Sequence, residues 1–306
     1  MTDVAVESGT VNSVSRVPLR TTVVEATETL AAAGVHSPCT DAELLAAHVL
    51  GVERTRLALV PMLTPAQLAE YRQLVARRAA RIPLQHLTGV ASMGEVDLSV
   101  GPGVFVPRPE TELLFAWALA HLELTERGHR PIVVDLCTGS GALALAIAHA
   151  RPDALVHAVE LDPAALTWAR RNSERLAADG DAPIALYEGD VTDPGTLAEL
   201  NGRVDMVVAN PPYVPADAAL DPEVIDHDPH LALFGGPDGL DVIRPMIGTI
   251  ARLLRPGGVT AVEHDDSHGS RVADLFDVHD DFLDVDEHPD LAGRPRFVTA
   301  RRMPTT

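Results

Sequence analysis

Lysine is absent from this 306-residue chain: all 24 basic residues are arginine, set against 44 acidic ones, for a net charge of −20. A protein whose main affinity is for the nucleic-acid backbone needs a basic footprint. This balance argues against one, although not against a local arginine patch. Cysteine is nearly absent as well. Cys39 and Cys137 lie far apart and make neither a metal-binding nor a disulfide pattern, which fits a reducing cytoplasm. Aromatic residues are scarce at 4%, so the core must be built mostly from Ala, Val and Leu. No long apolar run occurs. The longest, near Leu113 to Leu124, is too short to span a bilayer and carries His121 and Glu123. The first 17 residues lack an apolar h-region, so no secretory signal is expected. What is there is a hydrophobic content of 46%, enough for the core of one large domain or two smaller ones.

Taken in order, residues 1–18 are expected to be a disordered tail. Residues 19–89 read as a small helical domain. Thr40-Asp41-Ala42-Glu43 has the pattern of a capping box, with Gly51 as the stop, and Thr64-Pro65-Ala66-Gln67 is a second one with proline at the first helical position. The helix opened by the second carries Leu68, Tyr71, Leu74 and Val75 at core spacing. Its other face is expected to hold Arg72, Arg77 and Arg78, with Arg81 just beyond, as a solvated surface or a docking patch for an RNA-bound or acidic partner. Residues 90–108 form a connector. There Val96, Leu98 and Val100 alternate with polar residues, and Gly101-Pro102-Gly103 precedes Val104, Phe105 and Val106, a hairpin signature. Pro107-Arg108-Pro109-Glu110-Thr111-Glu112 then opens a helix through about Leu124. Acids are favoured at a helix N-terminus, which accounts for Glu110 and Glu112 but not for Arg108.

From Pro131 strands and helices alternate, which predicts a parallel sheet with right-handed crossovers. Strands are expected at 132–136, 155–160, 184–188, 204–209, 258–263, 282–287 and 296–301. Helices are expected near 141–150, 163–178, 196–200, 239–255 and 267–277. The strand Val204 to Ala209 runs into Asn210-Pro211-Pro212-Tyr213. Two prolines cannot continue a central strand, since neither has an N–H to donate, and each restricts the residue before it. Asn210 is therefore held stiffly at a strand's carboxyl end, where open α/β sheets bind ligands.

Upstream, Ile132-Val133-Val134-Asp135-Leu136 leads into Cys137-Thr138-Gly139-Ser140-Gly141 and an Ala/Leu helix. This is the first strand, loop and helix of a nucleotide-type fold, with glycines that let a ligand approach the backbone. The second strand ends at Glu160, where an acid bonding ribose hydroxyls is expected. The spacing is D-x-x-x-G-x-G rather than the dinucleotide G-x-G-x-x-G. Asp135 would repel a phosphate but could hold an ammonium. S-adenosylmethionine, a nucleoside with a cationic amino-acid tail, fits better than NAD. Gly189-Asp190 sits where an adenine contact would be needed, and Asp190 reads equally well as a loop acid. Cys137 has no His or Asn placed to activate it and reads as a pocket-lining residue. His264 and His268, spaced i and i+4, lack a third metal ligand and read as surface residues, as do His227 and His230.

These stretches resemble the class I S-adenosylmethionine-dependent methyltransferases that act on planar nitrogen. Three more narrow the resemblance: Arg81-Ile82-Pro83-Leu84-Gln85-His86-Leu87-Thr88-Gly89, Val106 to Glu112, and Leu291-Ala292-Gly293-Arg294-Pro295-Arg296. Together they resemble the peptide chain release factor N5-glutamine methyltransferases (PrmC/HemK type), over roughly residues 20 to 302. The resemblance implies a Rossmann-like α/β fold with a seven-stranded, mostly parallel sheet over residues 109–302. It places Asp135, Cys137, Thr138, Gly139, Ser140, Gly141, Glu160, Asp190, Val191, Asn210 and Arg108 around the cofactor. It gives Asn210, Pro211, Pro212 and Tyr213 to the substrate amide, with Asn210, Pro211 and Tyr213 catalytic. The implied substrate is the glutamine of the Gly-Gly-Gln loop of release factors, met by a cytoplasmic monomer without nucleic acid, membrane or metal. Departures are Cys137 where the family usually has Gly, Asp228-Pro229-His230 where Glu-Pro-x is usual, and His268 in place of a common Gln. The alternatives are a ribosomal-protein glutamine methyltransferase, which would share the site, and an adenine-N6 methyltransferase, which the charge disfavours. A non-catalytic binding module would have no need of an intact Asn210 and glycine loop.

Overall fold

Prolines punctuate the first part of the chain. The computed structural model describes residues 16–124 and 128–304, and the protein divides into two units, Met1–Thr88 and Gly89–Thr306. Most of the tail expected over residues 1–18 lies outside the described residues. Its end is structured: β1 (Val17–Pro18) pairs antiparallel with β2 (Met62–Leu63). The described residues of this unit also form four α-helices, α1 (Leu19–Ala32), α2 (Pro38–Leu50), α3 (Pro65–Ala79) and α4 (Leu84–Thr88), with a 3-10 helix at Arg54–Leu59.

Pro38 starts α2 earlier than expected, so Thr40 lies inside the helix and caps nothing. The second expected capping box forms. Thr64 Oγ1 accepts from the Gln67 N–H at 3.3 Å, and Gln67 Oε1 accepts from the Thr64 N–H at 3.0 Å. The core gathers Leu30, Leu45, Leu63 and Tyr71, whose hydroxyl donates to the Ala42 carbonyl at 2.9 Å. Arg78 does not join the solvated face. It is 5% exposed, and its Nε donates to Asp41 of α2 at 2.7 Å. Arg81 turns back to the Gly34 carbonyl at 2.6 Å, which leaves Arg72 and Arg77 exposed.

The second unit opens with a hairpin, β3 (Val90–Met93) and β4 (Val96–Ser99). Its turn is at Gly94-Glu95, not at Gly101 to Gly103, and Val104 to Val106 form no strand. Those valines are buried with Ala91, Val100 and Ala165 instead, which explains their apolar pattern. α5 (Thr111–Glu123) follows. Then come β5 (Ile132–Leu136), α6 (Ala142–Ala150), β6 (Leu155–Glu160), α7 (Pro163–Ala178), β7 (Ala185–Glu188) and β8 (Val204–Ala209). Two short helices, α8 (Pro222–Ile225) and α9 (His230–Leu233), precede α10 (Ile243–Leu253). β9 (Leu254–Glu263), α11 (Ser270–Asp277), β10 (Phe282–Pro289) and β11 (Pro295–Arg302) complete the chain.

Seven of these strands form one sheet in the order β10-β11-β9-β8-β5-β6-β7. β5, β6, β7, β8 and β9 pair parallel within it, while β11 runs antiparallel to both its neighbours. Every residue of β8 is buried, because helices cover both faces, as for a central parallel strand. Its one charged residue, Asp205, accepts from the Ile132 N–H at 2.8 Å and from Arg255 at 2.6 Å. Among the described residues no helix is long and apolar enough to cross a membrane.

Candidate active site

Strand order locates the crevice. From β5 the chain proceeds to β6 and β7 on one side, then returns to β8 and β9 on the other. Ligands bind at such a switch point, outside the strands' carboxyl ends. There Cys137 follows β5, Glu160 ends β6 and Asn210 follows β8, and all three line a cleft of about 480 Å³. Arg108, Gly139, Asp190, Val191, Pro212 and Tyr213 line it too. Asp135, Thr138 and Ser140 line a smaller cavity of about 40 Å³, which shares Gly139 and Asn210 with the cleft. Gly141 and Pro211 line neither: Gly141 starts α6, and Pro211 is buried.

The loop after β5 is tied to the end of β6. Glu160 accepts the Gly139 N–H on Oε2 at 2.7 Å and the Asp162 N–H on Oε1 at 2.9 Å. A carboxylate has about four lone-pair sites, so both oxygens can still accept from a ligand's hydroxyls. Asp135 accepts on Oδ2 from Thr138 Oγ1 at 2.6 Å and from the Ala144 N–H at 3.2 Å. Its Oδ1 is buried without a partner, and burial pushes the carboxyl up to about 7. An orphaned buried acceptor is what an ammonium needs, and paired hydroxyls suit Glu160. Phe105, Ala165 and Val191 supply apolar surface in the cleft. The residues present therefore fit a nucleoside with a cationic tail. Asp190 Oδ1 is engaged by the Thr192 N–H at 2.8 Å and hydroxyl at 2.7 Å. Cys137 sits at φ 63, a conformation unusual for a residue with a side chain. Burial and the nearby Glu160 and Asp135 push its thiol up, the opposite of what a nucleophile requires.

Across the cleft, a chain of hydrogen bonds runs inward from Asn210. Its Nδ2 donates to Thr111 Oγ1 at 3.1 Å, and the Thr111 hydroxyl donates to Glu263 Oε2 at 2.9 Å. Tyr213 donates its hydroxyl to Glu263 Oε1 at 3.0 Å. Glu263 ends β9 and is 1% exposed; burial pushes it up to about 7. The loop carrying Pro212 and Tyr213 is backed by 234–241. A Cβ on Gly235 would lie 2.6 Å from the Pro212 carbonyl oxygen, and one on Gly239, at φ +76, 2.3 Å from that of Tyr213. Glycine at both positions lets the two segments meet. Arg108, unexplained by the helix dipole, pairs with Asp228 and lies over the Phe105 ring at 5.0 Å. His264 and His268 are buried rather than on the surface. Each ring meets a carbonyl, His264 that of Asp265 at 2.9 Å and His268 that of Asp238 at 3.0 Å. His227 is half-buried and His230 exposed.

Residues 22–89 match the PrmC N-terminal domain, and residues 82–227 match the methyltransferase small domain. The release factor glutamine methyltransferase of Mycolicibacterium smegmatis is 55% identical over 285 residues, which is 93% of this chain and 98% of that one. The chain belongs to the release factor glutamine methyltransferase family. Proteins of the same name from Mycobacterium tuberculosis H37Rv and Streptomyces coelicolor are each 50% identical, over 93% and 92% of this chain and 91% and 96% of theirs.

Several residues in and around the candidate site escape a reading of the sequence. Thr111 and Glu263 lie 99 and 53 positions from Asn210 in the chain. The one signal for Glu263 is an acid closing the mostly apolar run Val259-Thr260-Ala261-Val262. Asn172 of α7 is fully buried. Its Nδ2 donates to the carbonyls of Ser99 and Ser140, both at 3.0 Å, and its Oδ1 accepts the Ser99 N–H at 2.7 Å. It thus fixes the loop after β5 to the segment that ends the hairpin. Arg296 enters the cleft because β11 is antiparallel and begins at the edge where the other strands end.

Proposed function

We infer that the protein methylates the side-chain amide nitrogen (N5) of the glutamine in the Gly-Gly-Gln motif of peptide chain release factors, using S-adenosylmethionine. The single observation that carries the reading is Asn210. It lines the same cleft as Glu160 and Val191, with its amide nitrogen engaged by Thr111. Relatives named for this reaction at 50–55% identity, over nearly their whole length, support the substrate class.

An amide nitrogen is a poor nucleophile because its lone pair is delocalised into the carbonyl. Asn210 Oδ1 and the Pro211 carbonyl would accept its two hydrogens, aim the nitrogen and stabilise the positive charge that develops on it. That is positioning with electrostatic preorganisation, and such geometry contributes on the order of 7–11 kcal/mol. The proton can leave after transfer, so no general base need act first. Asp135, Glu160, Asp190 and Val191 would hold the cofactor, which supplies an electrophilic methyl group when bound. Tyr213 would offer its ring face to the amide or the sulfonium.

Residues 19–89 would help to dock the release factor, and the enzyme would work in the cytoplasm as a monomer, without binding nucleic acid. Labelled methyl transfer tests the substrate class: incubation with a release factor, a ribosomal protein and DNA should label the release factor alone. Label in the ribosomal protein or DNA instead would overturn the reading.

A further inference from the structure

The amide of Asn210 has two faces of opposite polarity, and only one of them suits a substrate amide. If Oδ1 faces the ligand, it accepts the incoming N–H. With the amide turned over, an NH₂ group would meet another NH₂ group, and the two donors would repel. Two prolines fix the backbone here, but they do not fix the rotation of the Asn210 side chain. Something else must choose.

We propose that Glu263 and Thr111 are positioning residues that lock the Asn210 amide with its oxygen toward the substrate. Hydrogen-bond direction decides the orientation. An ionised carboxylate can only accept. Glu263 is met by two hydroxyls, Thr111 on Oε2 at 2.9 Å and Tyr213 on Oε1 at 3.0 Å, so while it is ionised each must spend its single proton on it. Thr111 Oγ1 is then left with lone pairs alone on the side of Asn210. Only the NH₂ end of the amide can satisfy it, and Nδ2 lies there at 3.1 Å. Thr111 is 3% exposed and Glu263 1%, so water does not compete for these bonds and the polarity set at Glu263 passes along the chain. The groups that bear on Glu263 are Thr111 and Glu110 at the start of α5, Tyr213 after β8, and Arg296 on β11, whose charge favours the ionised carboxylate. Asp265 follows it on its own segment and acts on Tyr213.

The inference rests on the reading that Asn210 Oδ1 accepts from a substrate amide, so the test carries Asn210→Ala as its internal reference. Full-length parent, Asn210→Ala, Thr111→Val, Thr111→Ser and Glu263→Gln would be assayed on a release factor for kcat and KM, with S-adenosylmethionine affinity by calorimetry. Thr111→Val keeps the shape and removes the hydroxyl. It should lower kcat about 100-fold, leaving KM and cofactor affinity within about threefold. Thr111→Ser should restore kcat to within about threefold, which no general loss of packing would permit. Glu263→Gln, in which a donor replaces one acceptor, should lower kcat about tenfold and remove the fall in kcat below pH ~7 that protonation of Glu263 produces in the parent. A parent-like kcat in Thr111→Val, or a parent-like rate and pH profile in Glu263→Gln should Thr111→Val not fold, overturns the inference. If Asn210→Ala itself keeps the parent rate, the reading of the active site falls, and this inference with it.

Discussion

Asp41 and Glu263 are both buried acids, one in each unit, and they are held in opposite ways. Asp41 faces a full positive charge, Arg78 Nε at 2.7 Å. Glu263 faces two hydroxyls, with Arg296 acting on it only through space. An ion pair such as Asp41–Arg78 satisfies its own charge and passes no direction to its surroundings. Apolar side chains of similar volume can often replace such a pair at no loss of stability. A carboxylate held by hydroxyls instead dictates which way each hydroxyl points, and so which way the next group must turn. Buried charge is therefore self-contained in the first unit and, on our inference, sets orientation in the second.

Breaking the first arrangement should have the largest effect on stability. Arg78→Met leaves Asp41 buried without its cation and should cost about 3–5 kcal/mol in urea unfolding. Methylation of a short glutamine peptide, per folded molecule, should not change. A cost below ~1 kcal/mol would mean that Asp41 does not depend on Arg78. Next is Asn172→Ala, which strips partners from the Ser99 N–H and from the Ser99 and Ser140 carbonyls. We expect a loss of about 2–3 kcal/mol, together with weaker S-adenosylmethionine binding by calorimetry, because the cofactor loop loses its tie. Unchanged cofactor affinity would confine Asn172 to a packing role.

The contrast in pH behaviour is smaller and sharper. Glu263 holds its proton up to about 7 in the folded chain, against an ordinary value of 4.5. Between those values the native state binds a proton that the unfolded chain has lost. Its contribution to stability is thus complete below about pH 4.5 and disappears as pH rises through about 7. The slope is at most about 1.4 kcal/mol per pH unit. Glu263→Gln should remove that slope, while the like-signed share of Asp135 remains. An unaltered slope in urea melts between pH 5 and 7 would show that Glu263 is ionised throughout. Smallest of all should be the double change Arg78→Met with Asp41→Leu. Removing both charges should bring stability back to within ~1 kcal/mol of the parent. A double variant as unstable as Arg78→Met alone would show that the pair does more than neutralise itself.

The sheet was largely legible in the sequence because buried parallel strands are written as short, mostly apolar runs. β5, β6 and β8 lie where their runs predict. The position of Asn210 was legible because two prolines end β8 directly after it. The hairpin turn was misplaced, because Val104 and Val106 are apolar for burial in a cluster and not for strand pairing. Arg78 could have been placed correctly: it is seven residues beyond Tyr71, on the same helix face as Leu74 and Val75, and so on the buried side. Thr111 and Glu263 could not be found this way. Their bond joins residues 152 apart, and only the folded sheet edge brings α5, β8 and β9 to one point.

Methyl transfer as proposed turns on Asn210 presenting an acceptor to a glutamine amide. Its most direct test is peptide-resolved mass spectrometry of a release factor after incubation with S-adenosylmethionine and either the parent protein or Asn210→Ala. One added methyl group on the Gly-Gly-Gln glutamine with the parent, and none with Asn210→Ala, is the predicted result. A methyl group at any other residue, or one that persists on that glutamine with Asn210→Ala, would contradict it.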